Sequence, residues 1–346
     1  MFELLVVGTD PAGLATATRA ARQGLQVALA YPSVDGLQSG PFLSAALREL
    51  VPELAVDRLR GHGPSSRNRL SIERLRRIVI NRVEDVAARQ LADVRSAGVE
   101  LFRGQTRFMD EHTVEVAGMN SAVLLRAQCI AVATGSTFAD DLRNEQLAGQ
   151  ILNADQILHV ESVPSKLVVV GSDPSGVEFA SLFAVGGSRV VVLDEKNHAE
   201  CDNLHDISLA LGVSFRYGSE VVGIETLNTH APPELVSLLL GDGCRLIGDR
   251  VLVAGRRVGR TRSLDLNAAG LTTDDCYRLW CDHQQRTWQP HIYGVGEVVG
   301  FSPHELNAAA QARTVVDAIV QPSRVPAPIG LGRSKARTHA QLGLVR

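Results

Sequence analysis

The chain has 346 residues, 45% of them hydrophobic and 31 of them glycine, which suits two compact α/β domains with buried cores. A formal net charge of −3 argues against a nucleic-acid partner, and no apolar run approaches the length of a membrane span. Glu3 stands where a secretion signal would carry positive charge, so a cytoplasmic location is expected; five cysteines, an odd number, suggest no disulfide framework.

In chain order, the first unit is expected to run from a strand over Leu4–Val7, through a helix over Leu14–Gln23, to a strand over Val27–Ala30. Loop and helix follow over 33–60. The clearest amphipathic helix covers 71–97, with Ile72, Leu75, Val79, Val83, Val86 and Val94 on one stripe, Ser71 as N-cap and Gly98 as stop. Short strands are expected at Val99–Phe102, Thr106–Met109, Thr113–Val116 and Val123–Ala127, and a buried strand at Cys129–Ala133 enters Thr134-Gly135. A second strand–helix–strand unit covers 166–195, with strands near 213–216, 221–226, 234–240 and 250–254 after it. His291–Glu297 reads as a further strand into a glycine turn, before an Ala-rich helix over 305–319 and a Pro- and Arg-rich tail.

The chain repeats itself. Leu4-Leu5-Val6-Val7-Gly8-Thr9-Asp10-Pro11-Ala12-Gly13 and Leu167-Val168-Val169-Val170-Gly171-Ser172-Asp173-Pro174-Ser175-Gly176 are each an apolar run entering a glycine turn, the start of a dinucleotide-binding unit. Gly8 and Gly171 would make the tight turn, and Gly13 and Gly176 would let helix and strand pack closely. Asp10 and Asp173 replace the middle glycine, where the backbone normally approaches a pyrophosphate. A carboxylate there would repel phosphate by roughly 4 kcal/mol at about 4 Å and an effective dielectric near 20. Alternatively, each aspartate caps its helix. Both readings stand at this point.

An acid about 20 residues past the first glycine normally binds the ribose hydroxyls. Counting 23 residues from Gly171 reaches Asp194, followed by Glu195, which favours NAD over the 2′-phosphate of NADP. The same count from Gly8 reaches Tyr31. Cys276 and Cys281 have the spacing of a redox pair but no glycine-rich helix start beside them, so the structural reading is preferred.

Several segments carry a resemblance: Arg107–Thr113, Asp249–Gly255, Gly259-Arg260-Thr261, Ser263-Leu264, Ala269-Gly270-Leu271 and Pro290–Gly300. With the two turns, they resemble the FAD-dependent pyridine nucleotide-disulfide oxidoreductases over residues 1–320, and within that family the soluble transhydrogenase branch. The resemblance implies an α/β fold of two Rossmann-like FAD/NAD(P)-binding domains with three-layer ββα architecture, lacking the C-terminal dimerisation domain. The expected division is 1–150 plus 260–325 for FAD, 151–259 inserted for NAD(P), and 326–346 as tail. FAD contacts would fall on Gly8, Gly13, Thr134, Gly135, Gly296 and Glu297, and nicotinamide contacts on Gly171, Gly176, Glu178 and Asp194. Glu178 would be the catalytic residue, a glutamate near the flavin, with hydride passing from the nicotinamide through the flavin to a second acceptor.

The departures are specific. Gly36 stands at the family's cysteine, so a redox disulfide is not expected. Ser44 keeps a serine, but Ala45 stands for the lysine, so Glu178 is expected to lack its cation. Glu297 replaces an aspartate. Two functions therefore remain in view: an oxidoreductase holding FAD and preferring NAD(H), or a degenerate relative acting as a nucleotide-binding or scaffold protein.

Overall fold

A computed structural model describes residues 1–32, 41–64, 68–119, 121–138, 149–195, 203–227, 235–254, 257–301 and 307–321. The first stretch of chain forms β1 (Phe2–Val7), α1 (Pro11–Arg22), β2 (Val27–Tyr31), α2 (Pro41–Leu59), α3 (Ile72–Ser96), β3 (Glu100–Arg103), β4 (Gln105–Phe108), β5 (Thr113–Ala117), β6 (Ala122–Val132) and β7 (Ser136–Phe138). The middle forms β8 (Ile151–Leu152), α4 (Ala154–Ile157), β9 (Lys166–Val170), α5 (Pro174–Val185), β10 (Arg189–Leu193), α6 (Asn203–Ala210), β11 (Ser214–Arg216), β12 (Val221–Leu227), β13 (Leu235–Leu240), β14 (Arg245–Gly248) and β15 (Arg250–Val253). The rest forms β16 (Arg257–Gly259), β17 (Leu279–Trp280), β18 (Ile292–Gly294), β19 (Val299–Phe301) and α7 (Ala308–Val320).

One seven-stranded sheet has the order β3-β2-β1-β6-β5-β4, with β18 also on β6. A second sheet, β11-β10-β9-β15-β8, is parallel throughout and lies in sequence between β6 and β18. Period-two alternation builds three layers from these strands. Leu4 and Val6 of β1 pack into the core beneath α1, α2 and α3, whereas Leu5 and Val7 pack with Phe108, Val114 and Val116 of the β4–β5 meander. The second unit repeats this: Leu167 and Val169 face the helices, while Val168 faces Val236 and Leu238 of the β12–β13–β14 meander. The helical cores of both units merge into one cluster.

The stripe on α3 is buried as expected, and Ser71 caps the helix by accepting the Arg74 N–H at 3.3 Å. Each fully buried Val or Leu of that stripe is worth roughly 1.5–3 kcal/mol before entropy. Two expectations are corrected. Val123–Ala127 and Cys129–Ala133 are one strand, β6, because it changes partner without stopping. Its first half pairs antiparallel with β5 and its second half parallel with β1. Arg126 and Gln128, on either side of Ala127, lie on an exposed face of this one strand. The first helix begins at Pro11 rather than Leu14, since Asp10 caps it and proline suits the first helical position. Strand β14 and the antiparallel pair β7–β16 were not anticipated.

Candidate functional site

The amino-terminal turn is built by contact. Gly8 has φ +108°, and a Cβ on it would collide with the Ala133 carbonyl; a Cβ on Gly13 would collide with the Ala133 methyl. The Asp10 N–H donates to that same Ala133 carbonyl at 3.1 Å. One oxygen of the Asp10 carboxylate accepts the Ala12 N–H at 3.0 Å, and the other accepts the Glu297 N–H at 3.2 Å. Asp10 is 4% exposed. Burial raises its pKa to about 6, with the Glu297 charge adding and the two N–H donors and Arg257 opposing. Gly296, at φ +76°, faces this group so closely that a Cβ would land on the Asp10 carboxylate.

The second turn has the same backbone and a different filling. Gly171 has φ +109°, and a Cβ on Gly176 would collide with the Gly171 carbonyl and sit 3.2 Å from the Ala254 methyl. Asp173 caps α5 by accepting the Gly176 N–H at 2.9 Å, is half-buried, and has its pKa raised chiefly by burial. At the end of β10, Asp194 turns back onto the loop, accepting the Ser172 N–H at 2.9 Å and the Ser172 hydroxyl. Its counterpart Tyr31 is buried in the helical core.

Arg257 on β16 joins the two turns. It donates from Nη1 to Ser175 Oγ at 2.8 Å, in the first turn of α5, and from Nε to Ser136 Oγ at 2.6 Å. Its Nη2 lies 3.0 Å from Glu297 Oε2, which also accepts the Ser136 hydroxyl at 2.5 Å. A continuous polar chain therefore runs Asp10, Glu297, Arg257, Ser175. No sequence motif marks Arg257, which follows an arginine after Gly255. Nearby, the Thr134 hydroxyl is buried with no hydrogen-bond partner among the described residues, and Gly135 has φ +70°.

Glu178 is brought to the interface of α5 with α2. It is 1% exposed and accepts Ser44 Oγ and Arg48 Nε, each at 2.7 Å. The expectation that it lacks a cation is corrected. Ala45 cannot pair with it, but Arg48, one helical turn on, lies on the same face and does. Burial raises the Glu178 pKa to about 7 against the pull of Ser44 and Arg48. A carboxyl so placed can hold or release a proton near neutral pH.

Cys276 and Cys281 are both free thiols, and burial pushes Cys281 up to about 12, away from reactivity. Gly36 lies outside the described residues. Among the described residues no His, Cys, Asp or Glu cluster could hold a metal ion, and no helix is long and apolar enough to cross a membrane. An open depression lined by Asp110, His112, Arg126 and Gln289 contains none of the glycine-turn residues.

Residues 2–314 match the family described as pyridine nucleotide-disulphide oxidoreductase. The chain belongs to that family. It is 31% identical over 335 residues to a soluble pyridine nucleotide transhydrogenase of Mycobacterium tuberculosis (strain ATCC 25177 / H37Ra), covering 90% of this chain and 69% of that protein. The transhydrogenase of Pseudomonas putida is 30% identical over 339 residues, covering 92% and 71%. Among solved structures, LpdA from Mycobacterium tuberculosis superposes with a TM-score of 0.69 at 21% identity, covering 92% of this chain and 72% of that one. The flavoprotein disulfide reductase RclA from Escherichia coli, as its Cu(II) complex, gives 0.67 at 20%, covering 92% and 71%. These last two likenesses concern the fold.

The family binds FAD and takes NAD(P) as substrate. Two features of the amino-terminal unit suit a dinucleotide: the tight Gly8 turn against Ala133, and the unpartnered Thr134 hydroxyl. The anion seat does not suit one. The N–H groups of Ala12, at the start of the helix, and of Glu297 could receive an anion, and both are taken by Asp10.

Proposed function

We propose that this chain is an NAD(H)-using oxidoreductase of the transhydrogenase-like type, passing hydride equivalents to a second acceptor by way of the family's flavin and without a redox disulfide. The observation that carries this is the polar chain from Asp10 through Glu297 and Arg257 to Ser175, which ties the two nucleotide turns to one place. In this reading 1–150 plus 260–325 form the flavin side, with Gly8, Gly13, Thr134, Gly135, Gly296 and Glu297 as contacts. Residues 151–259 form the nicotinamide side. There, Gly171 and Gly176 form the turn, and Asp194 beside it favours NAD(H) over NADP(H), whose 2′-phosphate would meet like charge. Glu178, paired with Arg48, is the residue assigned to proton handling.

A second reading has its own support. With Asp10 seated on both N–H donors, the chain would keep the fold and the nicotinamide side but not hold flavin, acting as a nucleotide-responsive binding protein. Colour separates the two. The oxidoreductase reading expects purified protein, alone or after adding FAD, to carry a flavin spectrum that NADH bleaches anaerobically. A protein that stays colourless in excess FAD yet quenches or enhances NADH fluorescence on binding would leave the second reading.

A further inference from the structure

We propose that Asp10 is a tethered anion occupying the diphosphate seat of the amino-terminal unit, so that a flavin dinucleotide enters only by displacing it. The inference rests on the family reading of this turn as the place where the flavin's diphosphate lies.

Its geometry is that of a ligand rather than of a cap alone. An N-cap aspartate needs only the helix donors, and Asp173 at the corresponding place accepts one N–H, that of Gly176. Asp10 accepts one N–H from the start of α1 and a second from the turn after β18, a segment 287 residues away in sequence. Two backbone donors from separate elements converging on one position form an anion site. Gly296 leaves the room: a side chain there would strike the Asp10 carboxylate, so the space beside Gly296 is the space the carboxylate fills. Beside Gly8, in the segment that this turn packs against, the Thr134 hydroxyl is without a partner among the described residues.

Displacement is opposed twice. The two charge-assisted hydrogen bonds must be given up, and the carboxylate must then sit near an incoming group of the same sign. Arg257 is the cation on hand, and it is already engaged with Glu297, Ser136 and Ser175.

The test is equilibrium titration of FAD into the full chain by flavin fluorescence, for wild type, Asp10→Gly and Asp10→Ser. Serine keeps a cap for α1 but is uncharged and too short to reach Glu297. Folding of each is checked by circular dichroism. Both variants are expected to bind FAD at least about tenfold more tightly than wild type. Equal affinity in all three, or folded variants that bind no FAD, would overturn the proposal. So would variants that fail to fold, since Asp10 would then be a structural cap. The separate oxidoreductase reading is judged by NADH bleaching. A tightened variant that NADH does not bleach keeps this proposal and removes that reading, while a wild type that bleaches and binds FAD as tightly as the variants does the reverse.

Discussion

The two glycine turns of this chain have nearly the same backbone and opposite side-chain economies. Gly8 and Gly171 sit within a degree of each other in φ, at +108° and +109°, and each opens a helix capped by aspartate and proline. In the first, the aspartate is buried, holds donors from two elements, and a tyrosine takes the ribose position. In the second, the aspartate is half-buried on one donor, and Asp194, proposed for the ribose, accepts from Ser172 in the turn. Backbone identity therefore says that a dinucleotide turn is present, and the charges inside it say whether a phosphate can use it.

The largest expected effect breaks the first turn itself. Gly8→Ala must place a Cβ on the Ala133 carbonyl at a positive φ, whereas Gly24→Ala, at φ +88°, meets nothing within 4 Å. Gly8→Ala should lower unfolding free energy by more than about 3 kcal/mol, and Gly24→Ala by about 1 kcal/mol, in urea titrations. Equal losses would mean that φ alone, and not the close approach to Ala133, sets the turn.

Next comes the acid that spans the two units. Glu178 rises from its ordinary 4.5 to about 7 on folding, so the native state holds its proton more tightly than the unfolded chain. Its contribution is then present below pH ~4.5 and is lost as pH climbs to about 7, a change on the order of 3 kcal/mol. Glu178→Gln, which keeps an acceptor for Ser44 and Arg48, should make the fall shallower across that window, leaving the part that the raised pKa of Asp10 contributes up to about pH 6. A wild-type profile with no fall there would show that Arg48 holds the carboxylate ionised.

Much of this was legible in the residues. The α3 stripe was read from spacing alone because a 3.6-residue period survives any tertiary context, and each of its six positions is buried. The duplicated turns were legible for a related reason: the glycines that make close contacts have no substitute. The pairing partners were not. Arg48 follows Ala45 by three places, and only the helix geometry of α2 reveals that it can stand in for a lost cation. Arg257 and the Glu297 N–H reach their partners across long sequence separations, where no local pattern reports them. The expected break between Ala127 and Cys129 is absent because one strand serving two sheet partners mixes two burial patterns.

The ribose positions sharpen the comparison with a smaller effect. Asp194→Asn should weaken NADH binding by about tenfold while narrowing or reversing the preference over NADPH, measured by nucleotide fluorescence titration. Unchanged discrimination would mean that Asp194 serves only to pin Ser172 in the turn.

The smallest effect tests whether the two aspartates differ as their surroundings say. Asp173→Gly removes a carboxylate that is partly solvated, bound to one N–H, and close enough to Arg257 to be partly balanced. Removing a like charge in such a setting is worth about 1 kcal/mol, so NADH affinity should rise only about fivefold, less than FAD affinity rises on Asp10→Gly. The comparison is set by burial and not by residue type, since both residues are aspartate in the same motif position. A gain at Asp173 equal to that at Asp10 would mean that simple repulsion governs both turns and that the second donor from Glu297 adds nothing.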